Sequence, residues 1–429
     1  MKNGHKGKRG HPKGLYLLFS VEAWERFSYY GMRALLVLYM VKHLHYTTEQ
    51  AGSVYAWYTG LVYLTPLLGG YIADNYIGKR MAITIGGVLM ALGHFAMAFE
   101  PLLYPALGLL ILGNGFFKPN ISTTVKELYE PNDDRLDSAM TIFYMGINLG
   151  AFFSPLICGT LGEKVGWHYG FAAAGVGMVI GLVIYLRLGN RLLGSAGLKP
   201  APLAPGQQHE PLTNTDWQRI SVIFAMLVFV VAFWMAFEQA GSSMTLFADQ
   251  ETNRRLPLIG YVFPASWYQS VNPLLIFLLA PFFSGLWVRL AGMGRNPRTP
   301  RKMAVGLLLL AVGFGFMVVA AGLFQQYGPV SFLWLFGAYF FHTLGELCLS
   351  PVGLSLVNKL APARFAGMLM GVWFTSNFVA NFIGGKLAGS YDAISHTRFY
   401  GFLAVEGLIA AVLLFAISPW LEKRMHGVH

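Results

Sequence analysis

The chain has 429 residues, of which 55% are hydrophobic and 12% are charged. A soluble domain has about 25% charged residues, so the polar residues here are too few to cover a water-facing surface, and an ordinary soluble protein is excluded. The net charge of +11 does not predict nucleic acid as a partner, because the basic residues cluster in short segments between apolar runs, as in membrane proteins.

Twelve apolar segments have the roughly 17 to 25 residues that a membrane-spanning helix needs. They lie at 15–42, 51–73, 80–99, 102–126, 137–160, 168–190, 217–246, 268–290, 302–324, 329–358, 364–391 and 397–421. We therefore predict an all-α integral membrane protein with twelve transmembrane helices in two six-helix bundles. Its parts are a basic tail at 1–14, a first bundle at 15–191, a Pro-rich and Gly-rich linker at 192–216, a second bundle at 217–421 and a tail at 422–429.

The distribution of Lys and Arg predicts the orientation of these helices. If the N-terminus is inside, the external connections hold only Lys42, Lys164, Arg254, Arg255 and Arg398, and the remaining loop cations lie inside. By the positive-inside rule both termini are cytoplasmic, in the plasma (inner) membrane of the cell.

The first predicted helix carries charged residues in its interior. Glu22, Glu25, Arg26 and Arg33 would each cost about 2.5 to 3.5 kcal/mol if they faced lipid at the bilayer centre. At about 100° per residue, these four side chains fall within one arc of the helix together with Tyr29 and Tyr30. The arc predicts a polar stripe that faces a central, water-accessible cavity, which is typical of a solute pathway.

Later helices contribute further buried polar residues. Lys118 lies in the middle of the fourth helix and is expected to face the cavity, whereas Asn148 in the fifth suits either a hydrogen bond to a solute or one to a neighbouring helix. Glu238 and Glu346 lie deep in the seventh and tenth helices. Cations from the first bundle would therefore face carboxylates from the second, and such a field favours a zwitterionic solute.

Several segments resemble known transporters. Residues 69–80, GGYIADNYIGKR, look like the loop motif of the major facilitator superfamily. The first helix is similar to the ExxERFxYYG motif of the proton-dependent oligopeptide transporter (POT or PTR) family, with EAWERFSYYG at 22–31. Other segments that resemble this family are FFKPN at 116–120, FYMGINLG at 143–150, EQAGSS at 238–243, SVNPLLIFLLAPF at 270–282 and GELCLSPVGLSLVNKLAP at 345–362.

The resemblance implies uptake of di- and tripeptides driven by protons, by alternating access of the two bundles. It implies that Glu22, Glu25 and Arg26 couple protons to transport, and that Arg26 and Lys118 hold the peptide carboxylate. Glu346 would receive the amino group. The remaining implied peptide-binding residues are Tyr29, Tyr30, Tyr63, Asn148, Asn272 and Trp373, and the implied gating salt bridge joins Arg33 to Glu238.

Two features depart from the family pattern. Many bacterial members carry two additional helices between the bundles, but residues 192–216 are too polar and too rich in Pro to span a membrane. Animal members have a histidine in the second helix, and residues 51–73 contain none, so proton binding is expected to rest on carboxylates. His342 precedes Glu346 by one turn and suits a proton relay or, as we favour, a packing role.

Three alternative functions remain open on the sequence. A proton-coupled carrier of another small anion, such as nitrate, or of a drug-like substrate would use the same fold, but Glu346 argues against it. An enzyme is not expected, because the sequence has no HExxH, GxSxG or paired metal-ligand motif. A passive channel is disfavoured by the opposed charge pairs.

No cofactor is predicted, because the proton gradient would supply the energy. The expected partners are di- and tripeptides, protons and the lipid bilayer, with a monomer as the expected state. Cys158 and Cys348 lie in apolar segments and are predicted to be packing residues and neither a disulfide nor a metal pair.

Overall fold

The computed structural model describes residues 10–130, 133–200, 212–362 and 365–427. The predicted tails and linker therefore lie partly outside the described residues, at 1–9, 201–211 and 428–429. Gly10 and His11 belong to the predicted N-terminal tail, yet both contact the turn between the fourth and fifth helices. Arg135 Nη1 donates to the Gly10 carbonyl at 2.6 Å, and His11 Nδ1 lies 2.8 Å from the Tyr129 hydroxyl.

The first bundle contains six long helices. They are α1 Lys13–Lys42, α2 Thr48–Ile72, α3 Lys79–Ala96, α4 Leu103–Lys126, α5 Leu136–Ser154 and α6 Trp167–Leu192. α1 packs against α5 and α6, while α3 packs against α4 and α6. α2 begins three residues before the predicted start, because the Thr47 hydroxyl accepts from Gln50 N and the Gln50 side chain accepts from Thr47 N, which forms a capping box.

The second bundle has the same plan with one break. Its helices are α7 Asn214–Phe237, α8 Ser243–Gln250, α9 Val271–Gly292, α10 Thr299–Tyr327, α11 Phe332–Leu360, α12 Ala366–Ala388 and α13 His396–Arg424. The prediction of one unbroken helix over 217–246 is wrong, because a 3-10 turn at Glu238–Gly241 separates α7 from α8. α7 and α8 together make one crossing, so the described residues form twelve crossings in two groups of six.

Shorter elements mark the ends of several helices. π-helical turns occupy Ala73–Ile77, Pro155–Gly159 and Leu161–Val165, and a 3-10 segment at Ala265–Ser270 leads into α9. Two short parallel strands, β1 Thr252–Asn253 and β2 Val330–Ser331, join the α8–α9 and α10–α11 connections. Within the described residues, eight helical segments are long and apolar enough to cross a membrane by length and composition alone.

The two bundles meet along two seams, of α2 with α12 and of α5 with α9. Part of the first seam is built from small residues. A Cβ atom placed on Gly52 would lie 2.6 Å from the Gly389 nitrogen, and one on Gly385 would lie 2.5 Å from Ala56 Cα. Main chain therefore meets main chain along this seam, a packing mode that small residues allow between membrane helices.

Part of the predicted linker is fixed against the first bundle. Arg80 donates from Nε to the Ala196 carbonyl at 2.8 Å and from Nη2 to the Gly194 carbonyl at 2.6 Å. The carboxylate of Glu127 accepts from Gly197 N at 2.7 Å. The first residues after α6 are thus held by Arg80 and Glu127, and only residues 201–211 of the predicted linker lie outside the described residues.

Candidate functional site

A cavity of about 320 Å³ lies between the two bundles. Helices α1, α2, α4 and α5 form one wall, and α7, α9, α11 and α12 form the other. Of the residues predicted for the site, those that line the cavity are Tyr30, Arg33, Tyr63, Lys118, Asn148, Glu238, Asn272, Glu346 and Trp373. Its volume falls at the lower end of the range of about 300 to 1,000 Å³ that is usual for small-molecule sites.

Lys118 gives the first-bundle wall a positive charge. Its ammonium lies 4.4 Å from the centroid of the Tyr63 ring, a cation–π contact between α4 and α2. Among the described residues, no carboxylate lies within ion-pair distance of Lys118. Pro119 follows it within α4 and removes one backbone hydrogen bond of the helix, so the main chain is locally less constrained at this point.

Glu346 gives the opposite wall a negative charge. Its Oε2 accepts a hydrogen bond from Asn272 Nδ2 at 2.7 Å, and the same amide also donates to Thr343 Oγ1 at 3.1 Å. The Glu346 carboxylate has no cationic partner among the residues that the structure describes. The cavity is therefore bordered by an unpaired cation on one side and an unpaired anion on the other.

Two other lining side chains, Asn148 and His342, also make contacts within their own bundles. Asn148 donates from Nδ2 to the Tyr144 carbonyl of its own helix at 3.0 Å, which leaves its side-chain oxygen available. The His342 ring lies against Phe314, with ring centroids 4.5 Å apart, and against Phe237. This packing accounts for the burial of His342, although its side chain also borders the cavity.

Only part of the predicted polar stripe of α1 lines the cavity. Tyr30 and Arg33 line the cavity, but Glu22, Glu25, Arg26 and Tyr29 are buried and are not among its lining residues. Arg26 Nε lies 2.8 Å from Glu22 Oε1 and 2.7 Å from Glu25 Oε2. We call Glu22, Glu25 and Arg26 the carboxylate–arginine trio.

Two neighbours hold the trio in place. Asn114 of α4 donates to Glu25 Oε1 at 3.4 Å, and the Arg26 guanidinium lies over the Tyr29 ring, 5.6 Å from its centroid. Because two carboxylates surround one guanidinium, the trio carries an excess negative charge when both glutamates are ionised.

Arg33 joins the two bundles above the cavity. Its Nη2 donates to Glu238 Oε2 at the start of the 3-10 turn after α7, and its Nε donates to the Tyr55 hydroxyl at 2.8 Å. Both charged side chains are almost fully buried. Unlike the trio, this pair requires the bundles to be close together.

A second set of contacts between the bundles lies at the end of the molecule where α1 ends. Lys42 Nζ lies 2.9 Å from Asp249, Arg254 Nη2 lies 3.0 Å from Asp249, and Arg254 Nη1 lies 3.5 Å from Glu163. We call these four residues the outer network. Since Lys42 and Glu163 belong to the first bundle and the other two to the second, the network crosses between the bundles twice.

Glu163 also caps the 3-10 segment that leads into α9. Its carboxylate accepts from Ala265 N at 2.8 Å, from Ser266 N at 2.9 Å and from the Ser266 hydroxyl at 2.6 Å. Free N–H groups at a helical N-terminus favour an anion, so this contact is well matched. Glu163 was not predicted from the sequence, where its only signal is an acidic residue in one predicted external connection and Arg254 in another.

The described residues contain no cluster of three or more His, Cys, Asp or Glu side chains that could hold a metal ion. Cys158 and Cys348 are both buried and unbonded. The polar side chains that line the cavity are charged groups, amides, hydroxyls and aromatic rings.

A family model described as the POT family matches residues 80–213 and 206–402. The chain belongs to the POT family. The predicted family is thus confirmed, and so is the major facilitator fold with two six-helix bundles. As in the rest of the family, the chain is a multi-pass membrane protein.

Individual relatives match over nearly the whole chain. Peptide transporter YePEPT of Yersinia enterocolitica is 34% identical over 485 residues, covering 96% of this chain and 94% of the relative. The di-/tripeptide transporter of Lactococcus lactis subsp. cremoris is 31% identical over 498 residues and covers 100% of both. That alignment is longer than the 429 residues of this chain, so the relative has internal residues without a counterpart here.

A solved structure agrees closely with the fold. The crystal structure of a mutant peptide transporter POT in complex with alafosfalin is 35% identical to this member of the POT family, with a TM-score of 0.90, and the match covers 98% of this chain and 97% of that one.

Proposed function

We propose that this POT family member is a proton-coupled symporter that imports di- and tripeptides by alternating access. The observation that carries the proposal is the central cavity with unpaired Lys118 on one wall and unpaired Glu346 on the other. A peptide is a zwitterion with its charges at opposite ends, so it complements both walls at once. The peptide transporters among the relatives support the same substrate class.

In this proposal Lys118 holds the peptide carboxylate, together with Arg26 once the trio releases it, and Glu346 receives the amino group. Asn148 and Asn272 offer amide groups to the peptide backbone. Tyr29, Tyr30, Tyr63 and Trp373 shape the pockets for side chains; Tyr29 acts from beneath the wall, since it does not border the cavity. Aromatic walls suit many side chains because they supply apolar area without a demand for particular partners.

Proton coupling would rest on the carboxylate–arginine trio. A proton on Glu22 or Glu25 removes one of the two charges that hold the Arg26 guanidinium. Arg26 can then donate hydrogen bonds to a peptide carboxylate at the cavity wall. Loss of the proton to the cytoplasm would restore both contacts and weaken the hold on the peptide.

Alternating access would proceed by opening and closing the contacts between the bundles. The Arg33–Glu238 pair and the outer network link the bundles on one side of the cavity. Breaking these contacts would open the cavity to a peptide from that side. Forming them again would close that side, so the peptide could leave only on the other side. The two states must differ by only a few kcal/mol if a proton gradient is to drive the cycle.

We further propose that the protein functions as a monomer in the plasma membrane with both termini in the cytoplasm, and that it needs no cofactor beyond the proton gradient. The arrangement of loop cations supports this orientation. In that orientation the outer network faces the outside of the cell.

The test is uptake of labelled dialanine into liposomes that contain the purified protein, with and without an imposed inward proton gradient. We expect concentrative uptake only with the gradient, with competition by tripeptides and none by free alanine. Glu22→Gln and Glu25→Gln should abolish accumulation, because a glutamine cannot bind and release the proton. Glu49→Gln, which changes an exposed residue at the start of α2, is the matched control and should transport normally.

Two outcomes would contradict the proposal. Accumulation of dialanine by both glutamine variants at the level of the unmodified protein would remove the trio from proton coupling. Absence of dialanine uptake by folded protein, together with gradient-driven uptake of nitrate or another small anion, would favour the alternative carrier function.

A further inference from the structure

A second cavity, of about 550 Å³, lies at the end of the second bundle opposite the outer network. It is formed where α9 ends, α10 begins and α13 ends. The side chains that matter for its chemistry are Arg295, Arg298, Arg301, Glu422, Val305 and Phe415. None of them borders the central cavity, so this is a separate site.

The charges of this cavity do not cancel. Glu422 is buried and is held by Arg298 Nη1 at 3.3 Å and by Arg301 Nε at 2.9 Å. Arg295 makes no side-chain ion pair with any residue that the structure describes. Three guanidinium groups thus border a cavity that has one carboxylate, and that carboxylate pairs with only two of them. Since each guanidinium has five N–H donors, most donors remain available to an anion.

The cavity also has an apolar side. Val305 lies more than one turn into α10, and Phe415 lies about two turns before the end of α13, with 40% of its surface exposed. The arginines are at the helix ends, whereas these two residues are nearer to the bilayer centre. The site is therefore cationic at its mouth and apolar farther in.

Two tryptophans lie against basic side chains of α10 and α13, the helices that form this cavity with the end of α9. Lys302 lies 4.5 Å from the Trp287 ring centroid, and the Arg424 guanidinium lies 4.2 Å from the Trp420 ring centroid. Tryptophan and basic residues together are typical of the boundary between lipid head groups and acyl chains. The arginines of the cavity would therefore lie at the depth of lipid phosphates.

We propose that this cavity binds the phosphate head group of an anionic phospholipid, with Arg295, Arg298 and Arg301 around the phosphate and an acyl chain along Val305 and Phe415. Charge complementarity selects an anionic lipid over a zwitterionic one, and the apolar inner side distinguishes a lipid from a free phosphate. Basic pockets at this membrane face are a known mode of lipid recognition.

The test measures lipid binding by native mass spectrometry of the purified full-length protein in detergent. Phosphatidylglycerol and phosphatidylcholine with identical acyl chains are the two probes. We expect phosphatidylglycerol to bind about tenfold more tightly, and the double substitution Arg295→Gln with Arg298→Gln to remove that preference, on the basis of about 1 kcal/mol per basic residue near the surface.

The matched control is Arg187→Gln with Arg191→Gln at the end of α6. These arginines are exposed near the end of the last helix of the first bundle, as Glu422 is near the end of the last helix of the second, but they do not line this cavity. The control should keep the preference for phosphatidylglycerol. Should the double variant unfold, Arg295→Gln alone serves, because Arg295 has no ion pair to lose, and we expect a loss of about threefold to fivefold.

Three results would overturn the proposal. One is equal affinity for the two lipids in the unmodified protein. Another is an equal loss of phosphatidylglycerol binding in the Arg187/Arg191 control, which would mean general surface attraction. The third is full displacement of phosphatidylglycerol by soluble glycerol phosphate at matched concentration, which would make the site one for free phosphates.

Discussion

Helix α1 carries two buried arginines about two turns apart, and their partners differ in one respect. Arg26 binds Glu22 and Glu25 of its own helix, whereas Arg33 binds Glu238 of the other bundle. A rigid-body motion of the bundles leaves the first set of contacts intact and must break the second. The trio therefore suits a role that changes with protonation, and the Arg33–Glu238 pair suits one that changes with conformation.

The largest expected effect comes from Arg26→Gln. The substitution leaves two buried carboxylates without their cation, and loss of one partner of a buried pair costs about 3 to 5 kcal/mol. We expect gradient-driven dialanine uptake to fall by about 100-fold or more, and Arg26→Lys to recover only part of it, since a compact ammonium cannot reproduce the guanidinium geometry. Uptake in liposomes is the measurement, with thermal unfolding of the same preparation as the control. Near-normal uptake by Arg26→Gln would remove Arg26 from the mechanism.

The next effect is expected for Arg33→Gln and Glu238→Gln, which should each reduce uptake by about tenfold by weakening closure between the bundles. The measurement is the distance between spin labels at Glu100→Cys and Leu258→Cys, in a background with Cys158→Ala and Cys348→Ala. Both label sites are exposed, one in each bundle. Either variant should increase the population with a long distance.

The charge swap Arg33→Glu with Glu238→Arg tests whether the pair itself matters. We expect it to restore most of the closed population, because the ion pair is rebuilt in the opposite sense. A swap that is no better than the single variants would argue that these side chains act separately.

A smaller effect is expected for Glu163→Gln. The amide keeps one acceptor oxygen for the Ala265 and Ser266 donors but loses the charge that favours a helical N-terminus. We expect a shift of about 1 kcal/mol, or about fivefold, toward the long label distance. Glu49→Gln is again the matched control, and an identical response of the two variants would show that Glu163 does not hold the bundles together.

The smallest effect is expected for Lys42→Gln. Its side chain is 45% exposed, and exposed ion pairs contribute less than about 1 kcal/mol. The change in label distances should be slight in low salt and disappear in about 1 M salt, whereas the effect of Glu238→Gln should persist because buried pairs are screened much less. Equal salt sensitivity of both variants would contradict the distinction between buried and exposed contacts.

The sequence predicted the parts of the molecule that follow from membrane burial. Charges inside apolar segments require a cavity, and this argument located Lys118, Glu238 and Glu346 on its walls, as the structure places them. The same argument did not separate Arg33, which lines the cavity, from Arg26, which lies beneath the wall. Helical periodicity gives the direction of a side chain but not the packing of the neighbouring helices.

Contacts between distant segments were not predictable. Glu163 binds Ala265 and Ser266, about a hundred positions later, and nothing in the sequence around Glu163 indicates these partners. The break between α7 and α8 at Glu238–Gly241 was also not predicted, because residues 217–246 form one continuous apolar run in the sequence. The contact of Glu163 depends on how the two bundles meet, which local sequence does not contain.

The seam of Gly52, Ala56, Gly385 and Gly389 has a mechanical meaning. At these four positions the main chains of α2 and α12 touch directly, so no long side chain there needs to change rotamer when one bundle tilts against the other. This patch of small residues can therefore act as a pivot between the bundles, and the charged contacts that join the bundles lie elsewhere. A bulky residue at Gly52 would push the main chains of α2 and α12 apart and remove the pivot.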